Sequence, residues 1–244
     1  MIDKYLNKIT CGDCYELIKG LPDKSVQAVY VDIPYLIDRG GCSDSELSQR
    51  IKHIQSVELA DIRDGIDYAI LDEFIRIMEK VNIFIWCSKM QIFDIMKFFL
   101  EHEDYDLHYE ILTWNKTNPT PCTNNVWLPD LEYCLYFREK GVPLNDGYEN
   151  KSKWYTSAIN KRDKDTFEHP TIKPLPLVKR HLLHATQPND IVLDCFMGSG
   201  TTAIACKEID RQFIGFEISE KWCKVANDRL NNIDANGQIS LFAR

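Results

Sequence analysis

The stretch Leu193-Asp194-Cys195-Phe196-Met197-Gly198-Ser199-Gly200-Thr201-Thr202-Ala203 decides how the chain is read. The apolar run Ile191–Leu193 meets an acid, then passes through small residues into a segment with helical spacing. Glycines there let a ligand come close to the backbone, at a strand end and a helix N-terminus where N–H groups point outward. About 17 residues past Gly200, the run Gln212–Phe216 ends on Glu217. An acid at the tip of that second strand is where a ribose diol would be held.

Working outward, runs rich in Val, Ile and aromatics predict strands at Ala28–Val31, Val81–Trp86, Tyr109–Trp114, Tyr133–Phe137, Ile191–Leu193 and Gln212–Phe216. Helical spacing appears over Leu71–Lys80, Gln91–Leu100, Leu175–Ala185, Thr202–Glu208 and Glu220–Leu230. Strands alternating with helices predict an α/β fold whose mostly parallel sheet carries helices on both faces. Two polar excursions, 36–67 and 142–168, interrupt the rhythm and read as functional or mobile segments. The glycines alone also satisfy a loose dinucleotide fingerprint, which keeps a nicotinamide or flavin enzyme open. Asp194 before the glycines, and only about 40 residues after them, count against it.

Near the N-terminus the run Ala28–Val31 ends in Asp32-Ile33-Pro34-Tyr35. An exocyclic amino group is a poor nucleophile, because its lone pair is delocalised into the ring. Accepting its two N–H hydrogens, one on the Asp32 carboxylate and one on the Ile33 carbonyl, draws the nitrogen toward sp³ and frees that lone pair. The nitrogen then attacks a sulfonium methyl in line. Pro34 fixes φ and biases Ile33 toward extended backbone. Tyr35 offers a face for an extruded base, and Asp32 acts as a preorganised acceptor. The bland reading is a strand closed by a turn, with Tyr35 packed at its rim.

Nine cysteines, an odd number in mixed surroundings, argue against a secreted disulfide framework. Cys11 and Cys14 form a CxxC, but no second pair accompanies it, and no metal is expected. The sequence shows no apolar run of about 18 residues and no apolar leader, so no membrane partner is expected. The formal charge of −8 does not favour a polyanion ligand. Its distribution does, since Lys151, Lys153, Lys161, Arg162 and Lys164 surround Trp154 and Tyr155. That stretch reads either as a solvated loop or as a phosphate-contacting arm with stacking aromatics.

Together these segments resemble the amino DNA methyltransferases of the β arrangement, over nearly the whole chain. In that family a (D/S/N)PP(Y/F) motif precedes an FxGxG motif, as Asp32–Tyr35 precede Cys195–Gly200 here. Cys11-Gly12-Asp13-Cys14 looks like its GDC segment, and His169-Pro170-Thr171-Ile172-Lys173-Pro174 like its HPxxKP segment. Trp114–Lys116 and Trp127–Tyr133 resemble the stretch that shapes its base pocket. The resemblance implies a Rossmann-like, seven-stranded methyltransferase sheet and S-adenosylmethionine as cofactor. It implies that Asp13, Cys14, Asp32, His169, Thr171, Lys173, Asp194, Phe196, Gly198, Ser199, Gly200, Thr201, Thr202 and Glu217 bind that cofactor. Asp32, Ile33, Pro34 and Tyr35 are then catalytic.

The implied activity is site-specific methylation of adenine N6 in double-stranded DNA by base flipping, as in restriction-modification enzymes. Asp at the first motif position goes with adenine in that family, and Ser with cytosine N4. Cytosine N4, a catalytically inactive DNA-binding relative, and a protein-amide methyltransferase remain alternatives. The last of these usually places its glycine motif first. Ile33 departs from the usual proline, which a contact through the backbone carbonyl survives.

Residues 1–244 read as one methyltransferase domain, with 36–67 a mobile loop region and 142–168 a target-recognition insertion. Residues 236–244 form a tail, in which Gln238–Phe242 resembles the short peptide that docks on the replication sliding clamp; a frayed terminus is the alternative. A homodimer is left open, and the expected location is cytoplasmic and nucleoid-associated in a bacterial or phage-encoded setting.

Overall fold

The computed structural model describes residues 2–36, 65–102, 104–119, 127–145, 147, 151–159 and 172–232. Its strands are β1 (Lys8–Cys11), β2 (Ala28–Asp32), β3 (Asn82–Cys87), β4 (Leu107–Lys116), β5 (Leu131–Glu139), β6 (Trp154–Ser157), β7 (Ile191–Asp194) and β8 (Gln212–Glu217). They form one sheet in the order β1-β8-β7-β2-β3-β5-β4-β6. Only β5 runs against the others, pairing antiparallel with β3 and β4. The sheet is therefore mostly parallel, as its continuous apolar strands predict.

The helices are α1 (Cys14–Leu17), α2 (Ala69–Ile77), α3 (Ile92–Leu100), α4 (Leu175–Ala185), α5 (Thr201–Glu208) and α6 (Glu220–Asn231). Alternate strand residues feed two cores. Val29, Val31, Ile83, Ile85, Leu193 and Phe216 face α2 and α3, which contribute Ile70, Phe74, Ile95 and Phe99. Ala28, Tyr30, Phe84, Trp86, Val192 and Phe213 face α4, α5 and α6, which contribute Leu177, Leu182, Ala203, Cys206 and Ala226. Among the described residues no helix is long and apolar enough to cross a membrane.

Among the described residues the sheet has eight strands rather than the expected seven. β6 is the addition at one edge, from residues that read equally well as a solvated loop. At the other edge β1 escaped the periodicity reading, because only Ile9 of its four residues is buried. α2 ends at Ile77 rather than running on to Lys80, since Met78 is extended and bridges to Val26.

The parallel strands bring their carboxyl ends to one edge. β2 and β7 lie side by side there, yet the chain leaves β2 toward β3 on one side and β7 toward β8 on the other. Such a switch point opens a crevice at the strand ends.

Candidate active site

A cavity of about 440 Å³ occupies that crevice, within the usual range for a small-molecule site. Asp13, Cys14, Asp32, Lys173, Asp194, Phe196, Gly198, Ser199, Thr201, Thr202 and Glu217 all line it. Tyr30, Pro34, Ile218 and Trp222 join them, although only Pro34 of these stood out in the sequence. His169 and Thr171 lie outside the described residues.

Each acid is set by its strand. Asp194 ends β7, accepting from the Phe196 N–H at 3.0 Å and from the Thr202 hydroxyl at 2.6 Å. Burial pushes its carboxyl up to about 7, against those two donors. Glu217 ends β8 and takes the N–H groups of Gly198 (2.7 Å) and Ser219 (2.9 Å), one on each oxygen. Its carboxyl is raised too, burial outweighing the backbone bonds. Asp13 caps α1 by accepting the Tyr15 N–H at 2.9 Å. Four carboxylates against the two ammoniums of Lys173 and Lys221 suit a cationic ligand.

Gly200 is not at the cavity wall. It has φ of 85°, and an added Cβ would stand 3.0 Å from the Ala226 Cβ, so it lets α5 pack on α6. Gly198 does line the cavity, with φ of 52°.

Asp32 ends β2 and forms the hub of a second cluster beside the cavity. The Lys173 ammonium lies 2.5 Å from Asp32 Oδ2, 2.9 Å from Glu132 Oε2 and 3.2 Å from the Tyr35 hydroxyl. Glu132 also pairs with Lys116 at 2.6 Å and accepts from the Tyr35 hydroxyl at 3.3 Å. Burial raises the Asp32 carboxyl from its ordinary value, while Lys173 opposes the shift. Burial would raise Glu132 as well, but the ammoniums of Lys173 and Lys116 hold it at about 2. Asp32 Oδ1 is shielded from solvent and has no hydrogen-bond partner among the described residues. An orphaned buried acceptor of this kind calls for a donor.

The backbone around Asp32 is fixed from β3. The Ile33 N–H donates to the Trp86 carbonyl at 3.2 Å, and the Ile33 side chain is buried in the core rather than in the cavity. The Pro34 carbonyl accepts from Gln91 Nε2 at 2.9 Å, and Gln91 Oε1 accepts from the N–H and hydroxyl of Ser88. Sequence reading gave Lys116 and Glu132 only as parts of a pocket-shaping stretch and missed Gln91, which belongs to no motif.

The basic segment divides. Lys151 and Lys153 precede β6, away from the carboxyl edge, and Lys153 pairs with Glu110 at 2.5 Å. Trp154 is exposed, whereas the Arg180 guanidinium lies 5.4 Å from the centre of the Tyr155 ring. Lys161, Arg162 and Lys164 lie outside the described residues, as do 37–64 and Gln238–Phe242. Cys11 is exposed and Cys14 buried; among the described residues no group of three His, Cys, Asp or Glu is placed to hold a metal.

The DNA methylase model for N6 and N4 methyltransferases matches residues 26–228. The chain is 30% identical to the type II methyltransferase M2.LlaDCHI of Lactococcus lactis subsp. cremoris, covering 90% of this chain and 87% of that protein. It is 29% identical to M2.DpnII of Streptococcus pneumoniae, covering 94% and 93% respectively. Among solved structures, M1.HpyAVI in complex with SAM is 27% identical with a TM-score of 0.66, over 91% of this chain and 99% of that one. The cytosine-N4-specific PvuII DNA methyltransferase, at 16% identity and a TM-score of 0.65, covers 93% of this chain and 86% of its own and shares the fold.

Proposed function

This chain belongs to the N6/N4 DNA methylase family and is an S-adenosylmethionine-dependent DNA methyltransferase acting on amino groups; from that premise we propose that its target is adenine N6 in double-stranded DNA, with Asp32 as the acceptor that readies the amine. The observation that carries this reading is the Asp32 carboxylate, held at a strand tip beside the cavity with Oδ1 buried and unpartnered. Aspartate rather than serine at the first motif position supports adenine.

The cavity's size and its excess of carboxylates fit S-adenosylmethionine. When bound, that cofactor would supply a methyl group made electrophilic by its sulfonium, the sulfur keeping the electron pair of the S–C bond that breaks. Asp13, Asp194 and Glu217, with the Phe196–Thr202 turn, hold it. Oδ1 of Asp32 and the Ile33 carbonyl accept the two N–H hydrogens of the amine, fixed in advance so that little reorganisation is needed. As the C–N bond forms, one amine hydrogen must leave as a proton. Burial raises the Asp32 carboxyl, which favours that carboxylate as its acceptor. Tyr35 stacks on a base taken out of the duplex, since the target nitrogen is out of reach inside it.

Single-molecule sequencing of DNA from cells expressing the chain, beside an Asp32→Ala control, tests this. N6-methyladenine in one short motif, absent from the control, is the expected result. N4-methylcytosine would overturn the choice of base, and no modification would overturn the activity. Lys161, Arg162 and Lys164 contact phosphate in this reading. Docking on a sliding clamp through Gln238–Phe242 has the sequence alone in support, and deletion of 238–244 with loss of clamp association is its test. Homodimer formation is tested by sedimentation of the full chain.

A further inference from the structure

Four side chains of alternating charge form a line into the reacting carboxylate: Lys116, Glu132, Lys173 and Asp32. They come from β4, β5, the segment before α4 and the tip of β2, so the fold rather than local sequence assembles them. Lys173 is the pivot. Its three N–H donors find three oxygens, on Asp32, Glu132 and Tyr35. Its ammonium also lies 5.1 Å from the centre of the Trp86 ring and 5.4 Å from that of Tyr35. A buried ammonium satisfied on every side keeps its place.

We propose that Lys173 and Glu132 are positioning residues for methyl transfer: Lys173 binds Asp32 Oδ2, fixing the carboxylate in place and keeping it ionised as an acceptor for the target amine, while Glu132 limits how far Lys173 neutralises it. This deepens the functional reading above and rests on it. The two neighbours act on Asp32 with opposite sign. Lys173 favours its ionised form, and Glu132, a like charge, opposes it. The other titratable groups facing Asp32 are Tyr35, Asp194, Cys87 and Cys134, apart from Tyr30 on its own strand. Each thiol and phenol among them is raised by burial and stays neutral near pH 7, and Asp194 is tied to Phe196 and Thr202 rather than to Asp32, so Lys173, with Glu132 behind it, is the contact that sets the balance.

The test uses the full chain with carbon-13 in the aspartate carboxyls, the Asp32 signal being assigned through Asp32→Asn. Its titration is followed in wild type, Lys173→Met and Glu132→Gln, beside the pH dependence of kcat on duplex DNA. Lys173→Met should raise the Asp32 pKa and the acidic limb of kcat by about one unit or more. Glu132→Gln, close to wild type in shape, should lower both by roughly half a unit. Asp32 titrating as in wild type in both variants, or moving the same way in both, overturns the proposal. The carboxyl titration needs no turnover, so a chain without methyl transfer would overturn the functional reading while the positioning pair is still judged by Asp32 itself.

Discussion

Asp32 stands two residues further out than Asp194 on the neighbouring parallel strand, because Val29 is level with Leu193 across β2 and β7. At about 3.3 Å per residue the offset is roughly 7 Å. Asp194, tied to the glycine turn, is almost wholly buried, whereas the Asp32 side chain is partly exposed and its Oδ1 has no partner among the described residues. Isosteric changes should therefore separate two functions. Asp32→Asn is expected to cut kcat by about a hundredfold or more while cofactor affinity changes little. Asp194→Asn should weaken cofactor binding first. Calorimetry beside single-turnover kinetics checks the separation, and equal loss of binding in both variants would refute it.

Cofactor affinity should depend on pH through Asp194. Burial lifts its carboxyl to about 7 in the free protein, so below neutrality it carries a proton. A cationic cofactor favours the ionised form and must expel that proton on binding. Affinity is then expected to fall by up to about tenfold for each pH unit below 7 and to level off above it. Asp194→Asn should flatten this dependence. A wild-type affinity constant between pH 5.5 and 8 would falsify the assignment.

Gln91 is fully buried, and its side chain joins the N–H and hydroxyl of Ser88, just past the end of β3, to the Pro34 carbonyl. Gln91→Leu keeps the volume roughly but strands those groups, each costing about 1–3 kcal/mol when left buried without a partner. A lower unfolding midpoint is expected. So is a fall in kcat larger than any change in cofactor affinity, because the turn that aims the Ile33 carbonyl loses its anchor. Unaltered kcat in a folded variant would show that the anchor does not matter.

Gly200→Ala should act on stability rather than on the site. Its φ of 85° disfavours a side chain, and the new Cβ would press on Ala226 at 3.0 Å. Together these should cost roughly 1–3 kcal/mol, seen as a lower denaturant midpoint. Cofactor affinity near wild type is expected at a temperature where the variant is folded.

Much of this was legible because strands buried on both faces are continuous apolar runs. Val29–Val31 and Val192–Leu193 announce themselves, and the acids that end their strands then mark one edge. Edge strands carry less signal: in Lys8–Cys11 one side chain is buried, and in Trp154–Ser157 none is fully buried. The charge line was illegible for another reason. Lys116, Glu132, Lys173 and Asp32 are far apart in sequence, and only the reversed strand β5 delivers Glu132 to the others. No periodicity reports such a meeting, nor does any motif include Gln91. Gly200 carries a demand that its motif does not announce: its backbone and its contact with Ala226 serve the packing of α5 on α6.

The basic segment supplies the last expectation. Lys153 is already neutralised by Glu110 at 2.5 Å and sits before β6, away from the edge that carries Asp32. The described chain reaches that edge at Ser157, and its next described residue, Ile172, adjoins Lys173, which binds Asp32 there. If Lys161 and Arg162 contact phosphate, each alanine substitution removes about one unit from the slope of log affinity against log salt. The double variant should bind duplex DNA more weakly at low salt and lose less on raising it, whereas Lys153→Ala should change both far less. Fluorescence anisotropy across a salt series reads the difference. A double variant that binds like wild type at low and high salt alike would move DNA recognition elsewhere on the molecule.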